Sequence, residues 1–259
     1  MTSANDRHDP WVLTYNDWTP EQQPLREALC TLGNGYFATR GAAEEALAGD
    51  PHYPGTYLAG GYNRLESEVG GRVIENEDLV NWPNCLCLTF RVDCEAWFHI
   101  DPAQILDFQQ RLDLHRGVLE RTVRFRDAAN RETELVSRRI VHMGEPHLAA
   151  IQWKLTQRNW SGTIEIRSVL DGNVSNQGVE RYRGLSDRHL EDTGRGRIGE
   201  DGIWLGVRTN QSGLRLVQAA RTAVYLGEEP APLDRQTIEQ SATVEQRLIV
   251  QCEQEKPVQ

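Results

Sequence analysis

The clearest regularity in the chain is a two-residue alternation that starts near residue 85 and runs almost to the end. Leu119, Arg121, Val123 and Phe125 alternate with Glu120, Thr122, Arg124 and Arg126. Ala149, Ile151, Trp153 and Leu155 alternate in the same way with Ala150, Gln152, Lys154 and Thr156. Successive side chains of a strand point to opposite faces, so this spacing predicts strands with one buried face. Further strands are predicted at residues 86–91, 95–100, 132–142, 162–171, 203–209, 214–226 and 236–252; in the last, Ile238, Ala242, Val244, Leu248 and Val250 share a face with Gln240 and Gln246. One short amphipathic helix is predicted over residues 20–29. Many antiparallel strands joined by Gly, Asn and Asp turns, with no helices between them, predict an all-β chain folded as a large antiparallel β-sandwich. An alternating α/β fold would need a helix after each strand.

Two segments depart from the alternation. Leu32-Gly33-Asn34-Gly35-Tyr36 has two glycines beside Asn and predicts a tight turn with positive φ. Residues 39–84 are rich in Gly, Pro, Asn and Tyr and show little periodicity, which predicts a long ordered loop region of the kind that carries function.

Length and charge narrow the function classes. A chain of 259 residues is at the upper edge of one domain, and 39% hydrophobic residues suffice for a sizeable core. Its 28 basic against 38 acidic residues leave a net charge of −10, which argues against a nucleic-acid partner held by phosphate contacts. No apolar run approaches the roughly 20 residues that cross a bilayer, and residues 1–10 lack a hydrophobic signal region. No membrane partner and a cytoplasmic location are therefore expected. The five cysteines (Cys30, Cys85, Cys87, Cys94, Cys252) match no zinc or CxxC spacing and read as reduced structural thiols, with Cys85 and Cys87 side by side on a strand.

Several motifs invite chemistry that their context refuses. Gly194-Arg195-Gly196-Arg197-Ile198-Gly199 matches GxGxxG, but no helix is predicted after it and Asp192, Glu200 and Asp201 would repel a pyrophosphate, so it reads as a glycine-rich turn. Glu75-Asn76-Glu77-Asp78 lacks the spacing of a calcium loop and reads as a solvated acidic turn. The seven histidines form no zinc pattern, so neither metal nor cofactor is expected. Glu44, Glu45, Glu66, Glu75 and Asp78 are the carboxylates available in the loop region for glycoside chemistry, each read as a surface charge. Aromatic residues Tyr36, Phe37, Tyr53, Tyr57, Tyr62 and Trp82 are interleaved with Asn34, Arg40, Asn63, Asn81 and Asn84. Flat rings beside amides and a guanidinium suit a sugar, and equally suit rings that pin a long loop.

These residues also carry a resemblance. Thr31-Leu32-Gly33-Asn34-Gly35-Tyr36-Phe37-Ala38-Thr39-Arg40-Gly41, then Gly55-Thr56-Tyr57-Leu58-Ala59-Gly60, then Leu79-Val80-Asn81-Trp82-Pro83-Asn84, resemble the N-terminal domain of glycoside hydrolase family 65. That family includes maltose, trehalose and kojibiose phosphorylases. Further matches are Arg111-Leu112-Asp113-Leu114, Gly117-Val118-Leu119 and Leu170-Asp171-Gly172-Asn173-Val174-Ser175-Asn176, in the family's order over roughly residues 11–185.

The resemblance implies a supersandwich of the galactose-mutarotase-like type over residues 1–252, with residues 253–259 starting a connection to an (α/α)6 barrel. In the family the barrel supplies the catalytic acid and binds inorganic phosphate, the co-substrate, so no catalytic residue is assigned here and this chain alone is expected to be inactive. It further implies an α-glucoside disaccharide as substrate, a homodimer, and a sandwich loop at the barrel mouth, for which Asn34, Tyr36, Arg40, Tyr57, Trp82 and Asn84 are the candidates. Two alternatives stay open. One is a free-standing carbohydrate-binding sandwich; the other is an aldose 1-epimerase-like enzyme, whose His-rich strand motif is not found.

Overall fold

The computed structural model describes residues 9–49, 51–176 and 185–259. Two antiparallel sheets form the body of the molecule. The larger has the strand order Val12–Tyr15, Gln104–Asp113, Val118–Arg126, Glu132–Val141, Ala149–Gln157. The second has the order Asp234–Gln240, Thr243–Cys252, Gly162–Asp171, Leu88–Val92. Their inner faces supply alternate residues to one core: Val123, Phe125, Leu135, Trp153 and Leu155 from the large sheet meet Phe90, Ile164, Ile166, Leu248 and Val250 from the other. The predicted alternation is therefore the sandwich itself, and each of these side chains contributes about 1.5–3 kcal/mol by leaving water.

A three-stranded sheet (Leu190–Ile198, Gly202–Thr209, Arg215–Arg221) buries Ile203, Leu205 and Val207 against Leu170, Val244, Val80 and Trp82. A smaller cluster, Cys30, Leu32, Leu112, Leu119 and Val141, lies between the short helix and one end of the large sheet.

The helix is a 3₁₀ turn at Pro20–Gln22 followed by an α-helix at Gln23–Leu29. Its amphipathicity is inverted. Gln23, Arg26 and Glu27 are buried, while Leu25 and Leu29 are 62% and 51% exposed. Arg26 is held inside by the carbonyl and carboxylate of Asp17 and by the ring of Tyr15, 4.5 Å away.

The structure corrects several expectations. Residues 39–84 are not loop throughout: Tyr62–Val69 and Arg72–Leu79 form a hairpin closed by Gly70 and Gly71, both at positive φ as a two-residue hairpin turn requires. Glu75 to Asp78 consequently lie in a strand, not in an acidic turn. The glycine-rich run Gly194 to Ile198 is also strand, and only Gly199 turns. Its glycines make room for Trp204: a Cβ on Gly194 or Gly196 would stand 3.1 Å from the indole. Residues 95–100 form no strand, because Asp93 and Cys94 turn the chain at positive φ. Residues 236–252 break at Ala242, which takes φ 56° between two hairpin strands, and residues 214–226 divide into Arg215–Arg221 and Tyr225–Leu226. All five cysteines are free thiols, but Cys85 and Cys87 precede the strand that begins at Leu88, and Cys94 is exposed.

Candidate functional site

The sequence candidates fall into two groups. At one end of the large sheet, the Asn34 carboxamide oxygen accepts the backbone N–H groups of Tyr36 and Phe37, each at 3.0 Å, and its amide donates to the carbonyls of His142 and Pro146 at 2.8 and 3.0 Å. Gly35 takes φ 86°, the positive value the turn needs. The Tyr36 ring meets His147 edge-on at 4.3 Å. Asn34 and Tyr36 therefore fasten a turn to the turn after Val141.

The second group centres on Thr56. Arg40 donates to the carbonyls of Tyr53 and Pro24 at 2.8 and 2.9 Å and lies 3.7 Å from the Glu27 carboxylate. Tyr57 lies beside it, and a Cβ on Gly55 would strike both the Tyr57 hydroxyl and the Arg40 stem, at 2.8 and 2.9 Å. Burial, reinforced by the neighbouring Tyr53, pushes the Tyr57 hydroxyl up, so it stays a neutral phenol. Trp82 is 2% exposed, its indole set against Gly61 and its backbone N–H donating to the Thr56 carbonyl at 2.8 Å. Asn81 accepts the Thr56 N–H and donates to the Ser175 carbonyl, and its backbone N–H donates to Asn176 at 2.8 Å. Tyr53 donates to the same Ser175 carbonyl, and Asn84 exchanges two backbone hydrogen bonds with Asp171.

Segments 40–41, 55–60, 79–84 and 170–176 thus meet in one hydrogen-bonded patch. Asn34 and Tyr36 belong to the other end of the same chain stretch. The patch is polar, aromatic and rigid, and its side chains are largely tied to neighbouring backbone.

A buried ionic cluster escaped the sequence reading. Glu44 and Glu45, expected on the surface, are both buried. Arg121 reaches Glu45 at 2.5 and 2.6 Å and Glu44 at 3.0 Å; Arg139 reaches Glu44 at 2.5 Å and the carbonyls of Arg40 and Ala42 at 2.9 and 2.7 Å. The Trp153 indole also donates to Glu44, at 3.3 Å. Burial alone would raise the Glu44 carboxyl, but Arg139 and Arg121 outweigh it and hold it at about 2. The available signal was Arg121 itself, an arginine in the inward-facing series of a strand, which demands a buried anion.

Two histidines are buried in polar networks. His52 lies between Glu27 (2.7 Å) and Asp101 (3.0 Å). Burial works against its charge, but the two carboxylates prevail and raise it. His189 takes the Asn63 amide on Nδ1 at 3.1 Å and stands 3.5 Å from Asp78, with burial lowering its pKa. Glu66 and Glu75 face each other across the hairpin, both exposed, and do not approach the Glu44 and Glu45 pair in character. Among the described residues, no group of three or more His, Cys, Asp or Glu side chains is placed to hold a metal ion.

The model of the glycosyl hydrolase family 65 N-terminal domain matches residues 13–259. The chain belongs to this family. As a family 65 N-terminal domain it is 44% identical over 225 residues, 87% of its length, to an uncharacterized glycosyl hydrolase of Mycobacterium tuberculosis, of which it spans 17%. It is 27% identical over 221 residues to a kojibiose phosphorylase of Thermoanaerobacter brockii, covering 85% of this chain and 27% of that protein. A solved structure described as "Putative kojibiose phosphorylase from human microbiome" superposes on 96% of this chain with a TM-score of 0.80 at 21% identity, and the domain covers 31% of it. The domain thus spans less than a third of the length of these relatives, and the sandwich architecture is common to the solved one.

Proposed function

We propose that this family 65 domain is the non-catalytic N-terminal part of an inverting phosphorylase acting on α-linked glucose disaccharides. The reading is carried by the match over residues 13–259 to a domain whose relatives include a kojibiose phosphorylase about three times as long. In this proposal the sandwich ends near Cys252, and the following residues lead to an (α/α)6 barrel. Val258 is paired with Leu155 and Leu226 on the way. The barrel supplies the acid that protonates the glycosidic oxygen while inorganic phosphate attacks the anomeric carbon from the other face. The sandwich contributes positioning, contacts within a homodimer, and the patch around Arg40, Tyr57 and Trp82 at the barrel mouth. No helix among the described residues is long and apolar enough to cross a membrane, and we place the enzyme in the cytoplasm.

The rigidity of the patch supports this role. Arg40 and Tyr57 are locked by backbone carbonyls and packing, as side chains that position a neighbouring domain need to be. The test is phosphate-dependent release of sugar phosphate from maltose, kojibiose and trehalose by the complete polypeptide that contains this domain. The expected result is turnover that needs phosphate, and none from the domain alone. Turnover indifferent to phosphate would overturn phosphorolysis, and Arg40→Ala leaving both turnover and melting temperature unchanged would overturn the role of the patch.

A further inference from the structure

Beside His52 lies a half-open cavity of about 230 Å³, lined by residues 45–49 with His52, His99, Ile100 and Asp101. At about 30 Å³ per water this is space for roughly seven waters, the scale of one sugar ring. Two of its wall positions are tied down. Glu45 is anchored by Arg121, and Gly49 donates its N–H to the His52 carbonyl at 3.0 Å.

The hydrogen-bonding capacity of the cavity follows from its neighbours. The Glu45 carbonyl can only accept, so the His99 nitrogen 3.0 Å from it, Nδ1, carries the proton, and Nε2 of the neutral ring is left with a lone pair. Both nitrogens of His52 face carboxylate oxygens and are therefore donors already in use. Asp101 takes one N–H on each oxygen, from the Trp18 indole at 3.2 Å and from His52 at 3.0 Å. Each oxygen keeps a second lone pair, and the side chain is 39% exposed. The site thus brings a pre-oriented carboxylate and the His99 imidazole together beside Leu47, the exposed apolar side chain of its lining.

The charges nearby cancel. Glu27 and Asp101 face the His52 ring, whose charged form both carboxylates favour, and Arg40, 3.7 Å from Glu27. A cation would gain little here, whereas a neutral polyol gains directional bonds: a vicinal diol can donate both hydroxyls to the two oxygens of one carboxylate, and a third hydroxyl can donate to an imidazole nitrogen. We propose that this cavity is a binding site for a single neutral pyranose, held by Asp101 and His99 with its C–H face toward Leu47. The proposal needs no barrel and no phosphate, so it stands or falls apart from the phosphorolytic reading.

The test is titration of the chain with D-glucose, followed in every variant by saturation-transfer NMR of the sugar and, in the wild type, by the resonance of the His99 ring. Saturable binding with a Kd of about 1–10 mM is expected, weakened at least about tenfold by His99→Phe and by Asp101→Ala. Methylammonium should leave the His99 resonance in place. No saturable change by about 100 mM glucose, or glucose binding unaltered in His99→Phe, overturns the site. So does a response to methylammonium in place of glucose. His99 makes one backbone hydrogen bond through its ring, so its replacement decides the matter even if Asp101→Ala fails to fold.

Discussion

Replacing Glu44 by Gln changes almost nothing in shape and removes one of two buried negative charges facing two buried guanidiniums. A carboxyl held at about 2 rather than 4.5 draws roughly 3 kcal/mol from its surroundings at neutral pH. Breaking a buried pair from one side costs a similar amount, about 3–5 kcal/mol, because the partner is left charged and dry. Glu44→Gln should therefore lose about 3 kcal/mol or more in urea unfolding at pH 7. The pH dependence has a definite sign. The folded pKa lies below the ordinary value, so the contribution is complete above pH 4.5 and disappears as pH falls toward 2. The gap between wild type and variant should close over that range. A variant within about 1 kcal/mol of wild type at pH 7, or a gap that stays constant in acid, would refute the reasoning.

Two further predictions concern single side chains. His52 is raised above its ordinary 6.5, so its contribution is full below that pH and fades as pH rises through the folded value; the stability advantage over His52→Gln should be largest in mild acid and shrink above pH 6.5, as seen in melting curves at several pH values. Among the thiols, Cys94 is exposed while burial pushes Cys87 up to about 12 and Cys252 up to about 11, so an aromatic disulfide reagent at pH 8 should label Cys94 first and reach the others only on unfolding.

The legibility of the fold followed the contrast between strand faces. Gly162–Asp171 is legible residue for residue because Ile164, Ile166 and Leu170 stand out against Glu165 and Arg167. The hairpin Tyr62–Val69 and Arg72–Leu79 was missed because both of its faces are polar, and Gly70-Gly71 was the signal that could have found it. The inverted helix shows the limit from the other side: its leucines face out and its charges face in, so periodicity located the element but not its orientation. Of the candidate site, the motif segments were legible as segments, but their convergence on Thr56 depends on contacts such as Asn81 to Asn176, 95 positions apart. The cavity beside Asp101 left no local trace, since His52 and His99 come together only in three dimensions.

The Glu44 and Glu45 cluster has a consequence for how the molecule opens. Arg121 and Arg139 belong to strands that pair with each other through a short turn, yet the carboxylates that neutralise them lie 76 to 95 positions away in the irregular segment. The sheet cannot be dry on that face until the distant segment has arrived, and the segment cannot leave without exposing two guanidiniums to the core. Amide protons of residues 41–46 should then exchange with those of the central strands, in one cooperative unit rather than as a fraying loop. What looks in sequence like a long connection behaves as part of the sheet.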